Sequence, residues 1–272
     1  MKESYEEEYA YLEKRIDALK TDRTGDERQT EAEVFDRKTL MTIYGFMKKG
    51  LLDKVHYPIS TGKEGNVFYS TDAEGAPVAL KIYRTSTSTF KKVSRYIEGD
   101  PRFRGTTGNR WKFIYAWASK EFKNLERYWE AELPVPEPIT CQQNCLLMEY
   151  IGDETGACPQ LRNAELDDPD GTYGDVVDFI VGGWADAGLV HGDLSEYNIL
   201  MRDGEPVVID VGQAMTADWF NAKDLLRRDI ANINRFFASR GADVMPAEEI
   251  EKECDEAAAE QEKDGGDEEE DE

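Results

Sequence analysis

The sequence predicts a two-lobed α+β fold: a small β-rich lobe, then a reduced helical lobe, with a helical extension ahead and a disordered acidic tail behind. Three features lead to that expectation. Short apolar runs bounded by turn residues crowd into residues 51–83, helical periodicity dominates after residue 110, and residues 248–272 are mostly acidic. The expected divisions are 1–50 for the extension, 51–151 for the first lobe, 152–246 for the second and 247–272 for the tail.

Residues 1–20 carry Tyr5, Tyr9, Leu12, Ile16 and Leu19 at near-helical spacing among charges. Phe35 to Leu52 is a stronger amphipathic pattern, with Gly50 as its stop. Strands are expected from Val55, through Ser60-Thr61-Gly62-Lys63-Glu64-Gly65-Asn66-Val67, to Val78-Ala79-Leu80-Lys81-Ile82-Tyr83. Polar stretches at 85–89 and 99–110 flank a mobile insertion, in which Thr106 and Thr107 are expected autophosphorylation sites. Trp111 to Leu133 reads as a long helix closed by Pro134, and Cys145 to Ile151 as a strand linking the lobes. Helices are expected over 175–189 and 218–240, the second with a stripe through Phe220, Leu225, Ile233 and Phe236.

The net charge of −24 argues against delocalised contact with nucleic acid, because the field of the whole molecule repels phosphate. Residues 248–272 hold fifteen acidic residues and two lysines, which leaves −11 on residues 1–247. A body this acidic is of the kind a salt-rich cytoplasm favours. No apolar run approaches the ~20 residues that span a bilayer, so no membrane partner is expected. The acidic first residues do not resemble a secretory signal. The four cysteines form no framework, and Cys141 and Cys145 are a weak metal pair beside only two histidines; reduced thiols in a cytoplasmic protein are expected.

The chemistry is concentrated in His191-Gly192-Asp193-Leu194-Ser195-Glu196-Tyr197-Asn198, followed twelve residues later by Asp210 in Ile209-Asp210-Val211-Gly212. Carboxylate, amide and second carboxylate in this order match the protein-kinase pattern H-x-D-L-x-x-x-N then D-x-G. Asp193 is suited to orient or deprotonate an attacking hydroxyl, and Asn198 and Asp210 to hold Mg2+ (or Mn2+) on nucleotide phosphates. Lys81 ends a V-A-L-K run, where a lysine pairs the α- and β-phosphates of ATP and an acidic residue of the next long helix. Glu121 is the expected partner among Glu121, Glu126, Glu130 and Glu132. Ser60, Gly62, Gly65 and Val67 stand at the marked positions of a phosphate loop, with Lys63 and Glu64 at its tip. Met148-Glu149-Tyr150-Ile151 would then offer the backbone of Glu149 and Ile151 to adenine.

Together these stretches resemble the RIO family of atypical protein kinases, closest to its type-one, archaeal-like branch. The resemblance rests on Ser60–Glu64 with Asn66-Val67, Lys81-Ile82-Tyr83-Arg84, Glu121-Phe122 with Asn124-Leu125, Leu147-Met148-Glu149, Asp193–Asn198, and Ile209-Asp210 with Gly212-Gln213-Ala214. It implies a two-lobed protein-kinase-like fold with ATP and Mg2+ as cofactors. Lys81 would be the phosphate-binding lysine, Asp193 the acid/base residue, and Asn198 and Asp210 the metal ligands. It also implies phosphoryl transfer to Ser/Thr or transiently to Asp210, in an ATPase cycle tied to small-ribosomal-subunit maturation. Departures are small: Gly65 and Gly192 replace common alanines, and Val211 replaces Phe or Met. The short path from Asp210 to the next helix, without A-P-E, leaves no room for the usual peptide platform and favours switching over broad protein phosphorylation. The H-G-D-L-x-x-x-N pattern also resembles small-molecule phosphotransferases of the aminoglycoside and choline type, and a nucleotide-binding scaffold without turnover is the third alternative.

Overall fold

The computed structural model describes residues 2–17, 34–62, 65–84, 109–153 and 155–268. They fall into two compact units, Met1–Phe122 with Pro138–Tyr150, and Lys123–Glu137 with Ile151–Glu272.

The first unit is built on a five-stranded antiparallel sheet in the order β1-β2-β3-β5-β4, from β1 (Lys54–Thr61), β2 (Gly65–Thr71), β3 (Pro77–Tyr83), β4 (Pro138–Gln142) and β5 (Cys145–Glu149). Asp72 makes the β2–β3 turn by accepting the N–H groups of Glu74 and Ala76 on its carboxylate. Two helices cover the sheet, α1 (Lys2–Glu13) and α2 (Arg37–Lys48). Asp36 caps α2 by accepting from the N–H groups of Lys38 and Thr39. Leu40, Ile43 and Met47 then face inward, and Gly50 stops the helix at φ 76°. Leu12 and Ile16 join the same core, and Val55 N–H donates to the Arg15 carbonyl at 2.9 Å. The N-terminal extension is therefore part of this unit's core through Leu12 and Ile16, whereas Tyr9 is exposed.

A long helix, α3 (Arg110–Glu130), gives its first part to this unit and its last turns to the second. The second unit continues with β6 (Gly152–Asp153), β7 (Gly156–Ala157), α4 (Pro169–Ala185), β8 (Leu189–Val190), β9 (Ile199–Arg202), β10 (Glu205–Val208), β11 (Met215–Thr216), α5 (Ala222–Ser239) and α6 (Ala247–Glu268). α4 begins six residues earlier than its periodicity implied, because Asp168 caps it and Pro169 fits its first turn. The β9–β10 turn places Asp203 and Gly204 at φ 55° and 91°, as a tight hairpin requires. Phe220 is no part of the inward stripe expected for α5: it precedes the helix and is 84% exposed.

The acidic tail is corrected most. Instead of disorder, residues from Ala247 form α6, which packs on α4 and α5. Charge density hid a narrow apolar seam. Ile250 and Cys254, one turn apart, are fully buried, and Ala257 and Ala258 are half-buried behind them. The negative face is partly neutralised by α5, through Lys223 to Asp255 at 2.7 Å and Arg227 to Glu251 at 2.9 Å. Burial pushes the Cys254 thiol up to about 12, which makes it an apolar packing group and a poor nucleophile.

Ile250→Ala is expected to destabilise the protein by about 2–4 kcal/mol in urea denaturation, from lost burial and a residual cavity. An unchanged midpoint would mean that α6 is not docked.

Candidate active site

On the first unit, the motif residues meet on β3 and α3. Lys81 lies within β3 and is 8% exposed; its ammonium contacts both carboxylate oxygens of Glu121, at 2.7 and 2.8 Å. Glu121 is 2% exposed, and the Tyr83 hydroxyl donates a second contact to it. The buried carboxylate fixes the direction of the lysine ammonium through two charge-assisted contacts. The geometry selects Glu121 from the four glutamates. Gly62 N–H donates to the Gly65 carbonyl at 2.9 Å, closing the β1–β2 connection. A side chain on Gly65 would come within 2.6 Å of the Ile82 carbonyl, so glycine lets β2 and β3 approach closely here, and an alanine would need the backbone to shift. Ser60 and Gly62 are exposed and Val67 half-buried, while Lys63 and Glu64 lie outside the described residues, as do Thr106 and Thr107. Glu149 ends β5 opposite Val78.

On the second unit, the β9–β10 hairpin determines the constellation. Ile199 pairs with Val208, and one step beyond the ladder Ile209 N–H donates to the Asn198 carbonyl at 2.9 Å. The pairing therefore carries Asn198 and the residue after Ile209, Asp210, to the same end of the hairpin. Asp210 sits in the left-handed region at φ 61° and ψ 50°, which costs a non-glycine residue about 1–2 kcal/mol. Its turn is pinned by buried Asn124, whose amide donates to the carbonyls of Val211 and Ala214 at 2.9 and 3.2 Å. Ile151 accepts the Cys158 N–H on its carbonyl, so what it can offer a base edge is its N–H.

Asp193 is held from two sides. The Asn198 amide donates to its carbonyl at 2.8 Å, and the Gln213 amide donates to its carboxylate at 3.1 Å. Partial burial pushes the Asp193 carboxyl above the ordinary carboxylate range, and the charge of Asp210 adds to this. His191, Arg228 and a hydrogen bond from Asn198 act against it. His191 accepts from Asp193 N–H at Nδ1, which leaves its proton on Nε2 for the Ile209 carbonyl 3.1 Å away.

Below the loop is a residue that sequence reading passed over. Asp229 on α5 is 1% exposed and accepts the backbone N–H groups of Gly192 and Leu194 at 2.7 and 3.0 Å. Its neighbour Arg228 donates to the Gly192 carbonyl. Gly192 stands at φ 76° with the Gln213 carbonyl 3.3 Å from where a Cβ would lie, so the loop bends there at a glycine. Burial pushes the Asp229 carboxyl up to about 6. The only clue in the sequence was an Arg-Asp pair on the expected helix, which resembles an ordinary solvated face.

Among the described residues no group of three or more His, Cys, Asp or Glu is arranged to hold a metal. That agrees with one carboxylate and one amide, since Mg2+ is commonly held by one or two protein groups together with phosphates and water. Asn198 spends its amide nitrogen on the Asp193 carbonyl.

A sheet-based unit with a Lys–Glu pair and a helical unit with the Asp193–Asn198–Asp210 set define a protein-kinase-like enzyme. The RIO domain model matches residues 66–250. The chain is 44% identical over 219 residues to the RIO-type serine/threonine-protein kinase Rio1 of Haloferax volcanii, covering 80% of this chain and 75% of that protein. It is 38% identical over 228 residues to the human serine/threonine-protein kinase RIO1, covering 82% of this chain but 40% of the human one. The Rio2 kinase crystal structure from Chaetomium thermophilum superposes with a TM-score of 0.62 at 27% identity, over 77% of this chain and 66% of that one. A Rio2 kinase–ADP/Mg2+–phosphoaspartate complex from the same organism also gives 0.62, over 88% of this chain and 85% of that one; at 24% identity it bears on the fold alone. The chain belongs to the RIO family of atypical serine/threonine kinases, and within it to the Rio1 type.

Two outcomes follow. A buried carboxyl with a raised folded pKa favours the folded state most at low pH, and that contribution is lost as pH rises through about 6. The stability of the wild type relative to Asp229→Asn should therefore fall by about 2 kcal/mol between pH 4 and pH 7. Equal differences at both pH values in urea melts would contradict the burial argument. Gln213→Met removes one donor from the Asp193 carboxylate, so the acid limb of the kcat/KM profile for phosphoryl transfer should move to higher pH. An unmoved limb would show that Gln213 does not act on Asp193.

Proposed function

We propose that this chain is a Mg2+-ATP-dependent RIO kinase and ATPase that transfers the γ-phosphoryl group to Ser/Thr or transiently to its own Asp210. The observation that carries the reading is the bond from Ile209 N–H to the Asn198 carbonyl, which brings Asn198 and Asp210, the residue after Ile209, to the same end of the hairpin. The kinase names of its Rio1 relatives support ATP as the donor.

Lys81, oriented by Glu121 and Tyr83, neutralises the α- and β-phosphates. The Glu149 carbonyl and the Ile151 N–H receive adenine, and Ser60, Gly62, Gly65 and Val67, with Lys63 and Glu64, form the phosphate loop. Asn198 and Asp210 would hold Mg2+, which when bound would offset charge on the phosphates. Asp193 accepts the proton of the attacking hydroxyl; as the new O–P bond forms, the bond to the β–γ bridging oxygen breaks and ADP leaves. In the switching mode an Asp210 carboxylate oxygen attacks instead, and water later hydrolyses the acyl-phosphate. The same Asp193 carboxylate serves hydroxyl and water.

A cytoplasmic location and a pre-ribosomal small-subunit particle as partner belong to the same proposal; the location rests on cysteines that form no framework, the particle on the family resemblance. No helix among the described residues is long and apolar enough to cross a membrane. The aminoglycoside- or choline-type alternative has no observation in its favour.

Incubation with Mg2+ and γ-labelled ATP, followed by hydroxylamine, tests the reading. Label that hydroxylamine removes from the wild type and that is absent in Asp210→Asn is the expected result for the switching mode. Asp193→Asn and Asp210→Asn should each lower turnover by about 10²–10³, the usual cost of one key charge-stabilising group. Near-wild-type turnover in both variants would overturn the assignment.

A further inference from the structure

Three exposed arginines of the second unit, Arg162, Arg235 and Arg240, are tied by bonding to residues 194–197 of the loop that carries Asp193. Arg162 lays its guanidinium over the Tyr197 ring, 4.9 Å from its centroid, and its backbone N–H donates to the Glu196 carbonyl at 3.2 Å. Arg240, at the end of α5, donates to the Arg162 carbonyl at 2.7 Å. Arg235 donates to Asn232 Oδ1 at 2.6 Å, and the Asn232 amide in turn holds the Leu194 carbonyl at 3.2 Å. All three arginines are exposed, and Tyr197 is 50% exposed. Each guanidinium is thus a step or two of bonding from residues 194–197, between Asp193 and Asn198.

They differ from several cations of this unit in what they contact. The chain holds 57 acidic residues against 33 lysines and arginines, so an exposed cation has carboxylates in abundance. Lys223, Arg227 and Lys252, elsewhere on this unit, are paired in that way. Among the described residues Arg162, Arg235 and Arg240 pair with no carboxylate; they contact carbonyls, an amide and aromatic rings. A guanidinium so placed keeps its charge uncompensated and its remaining donors open to an anion.

We propose that Arg162, Arg235 and Arg240 form the docking surface for the phosphoryl acceptor, and that the acceptor is a Ser/Thr segment flanked by Asp and Glu. On the phosphotransfer reading, on which this rests, the hydroxyl must reach Asp193, and neighbouring acceptor residues then cross the rim at Glu196 and Tyr197. Arginine on that rim attracts carboxylates and repels basic segments. A short acidic peptide fits better than a nucleic acid strand. It brings few charges against a body of net −24, and the Tyr197 ring, which would have to stack on a base, already carries Arg162 on one face.

The test uses the full chain and three fluorescein-labelled serine peptides with acidic, neutral or basic flanks. Anisotropy gives Kd, and phosphate incorporation gives kcat and KM. The wild type should bind and phosphorylate the acidic peptide best. Arg162→Glu/Arg240→Glu should raise Kd and KM for that peptide about five- to tenfold and shift preference to the basic one, with KM for ATP and autophosphorylation unchanged. Arg162→Gln/Arg240→Gln, a milder change for the fold, should lose the preference without reversing it. Equal binding of the three peptides by the wild type, or a preference that survives both variants, would overturn the proposal. So would an oligoribonucleotide that displaces the acidic peptide at lower concentration than unlabelled peptide does. Absence of any Mg2+-ATP-dependent labelling would instead count against the phosphotransfer reading, while the anisotropy arm still decides docking.

Discussion

The second unit depends on one buried carboxylate. Asp229 reaches from α5 to take the N–H groups of Gly192 and Leu194, the residues on either side of Asp193. A charge with 1% exposure is costly, and its carboxyl, raised to about 6, records that cost. The return is positional. Two charge-assisted bonds fix the backbone flanking Asp193, and α5 anchors them because Leu226, Ile230 and Ile233 are buried beside it.

The other supports follow from that fixed point. With Gly192 bent at φ 76°, the His191 ring meets the Ile209 carbonyl, and the loop continues to Asn198 and the hairpin. The hairpin returns the chain to Asp210, and Asn124 pins the next turn so that Gln213 reaches the Asp193 carboxylate. Backbone strain at Asp210 and desolvation at Asp229 thus fall on the segments assigned to phosphoryl transfer. The first unit uses a simpler device, a single buried carboxylate, Glu121, shared by Lys81 and Tyr83.

Much of this was legible because its signals are local. The order Asp193, Asn198, Asp210 lies on one loop and one hairpin, and the strand runs around Lys81 are short and apolar. Glu121 was within reach because the partner of Lys81 was sought near the middle of the long helix that follows it. What escaped depends on partners distant in sequence. Asp229 lies 37 residues from Gly192, and nothing in its neighbourhood distinguishes a buried carboxylate from a solvated one. Asn124 was noted only as a motif residue, since its two carbonyl partners lie 87 and 90 residues away. The α6 helix was misjudged because composition outweighed pattern: Ile250 and Cys254 are few among many acids, and the cations that balance those acids come from α5.

Single-turnover phosphoryl transfer by Asp229→Asn, with the Kd for Mg2+-ATP measured alongside, tests the central claim most directly. Asparagine can accept one of the two backbone N–H groups but opposes the other with its own N–H. If Asp229 acts by fixing the loop around Asp193, the rate should fall at least about tenfold with Mg2+-ATP affinity unchanged. A wild-type rate in a folded variant would contradict the account.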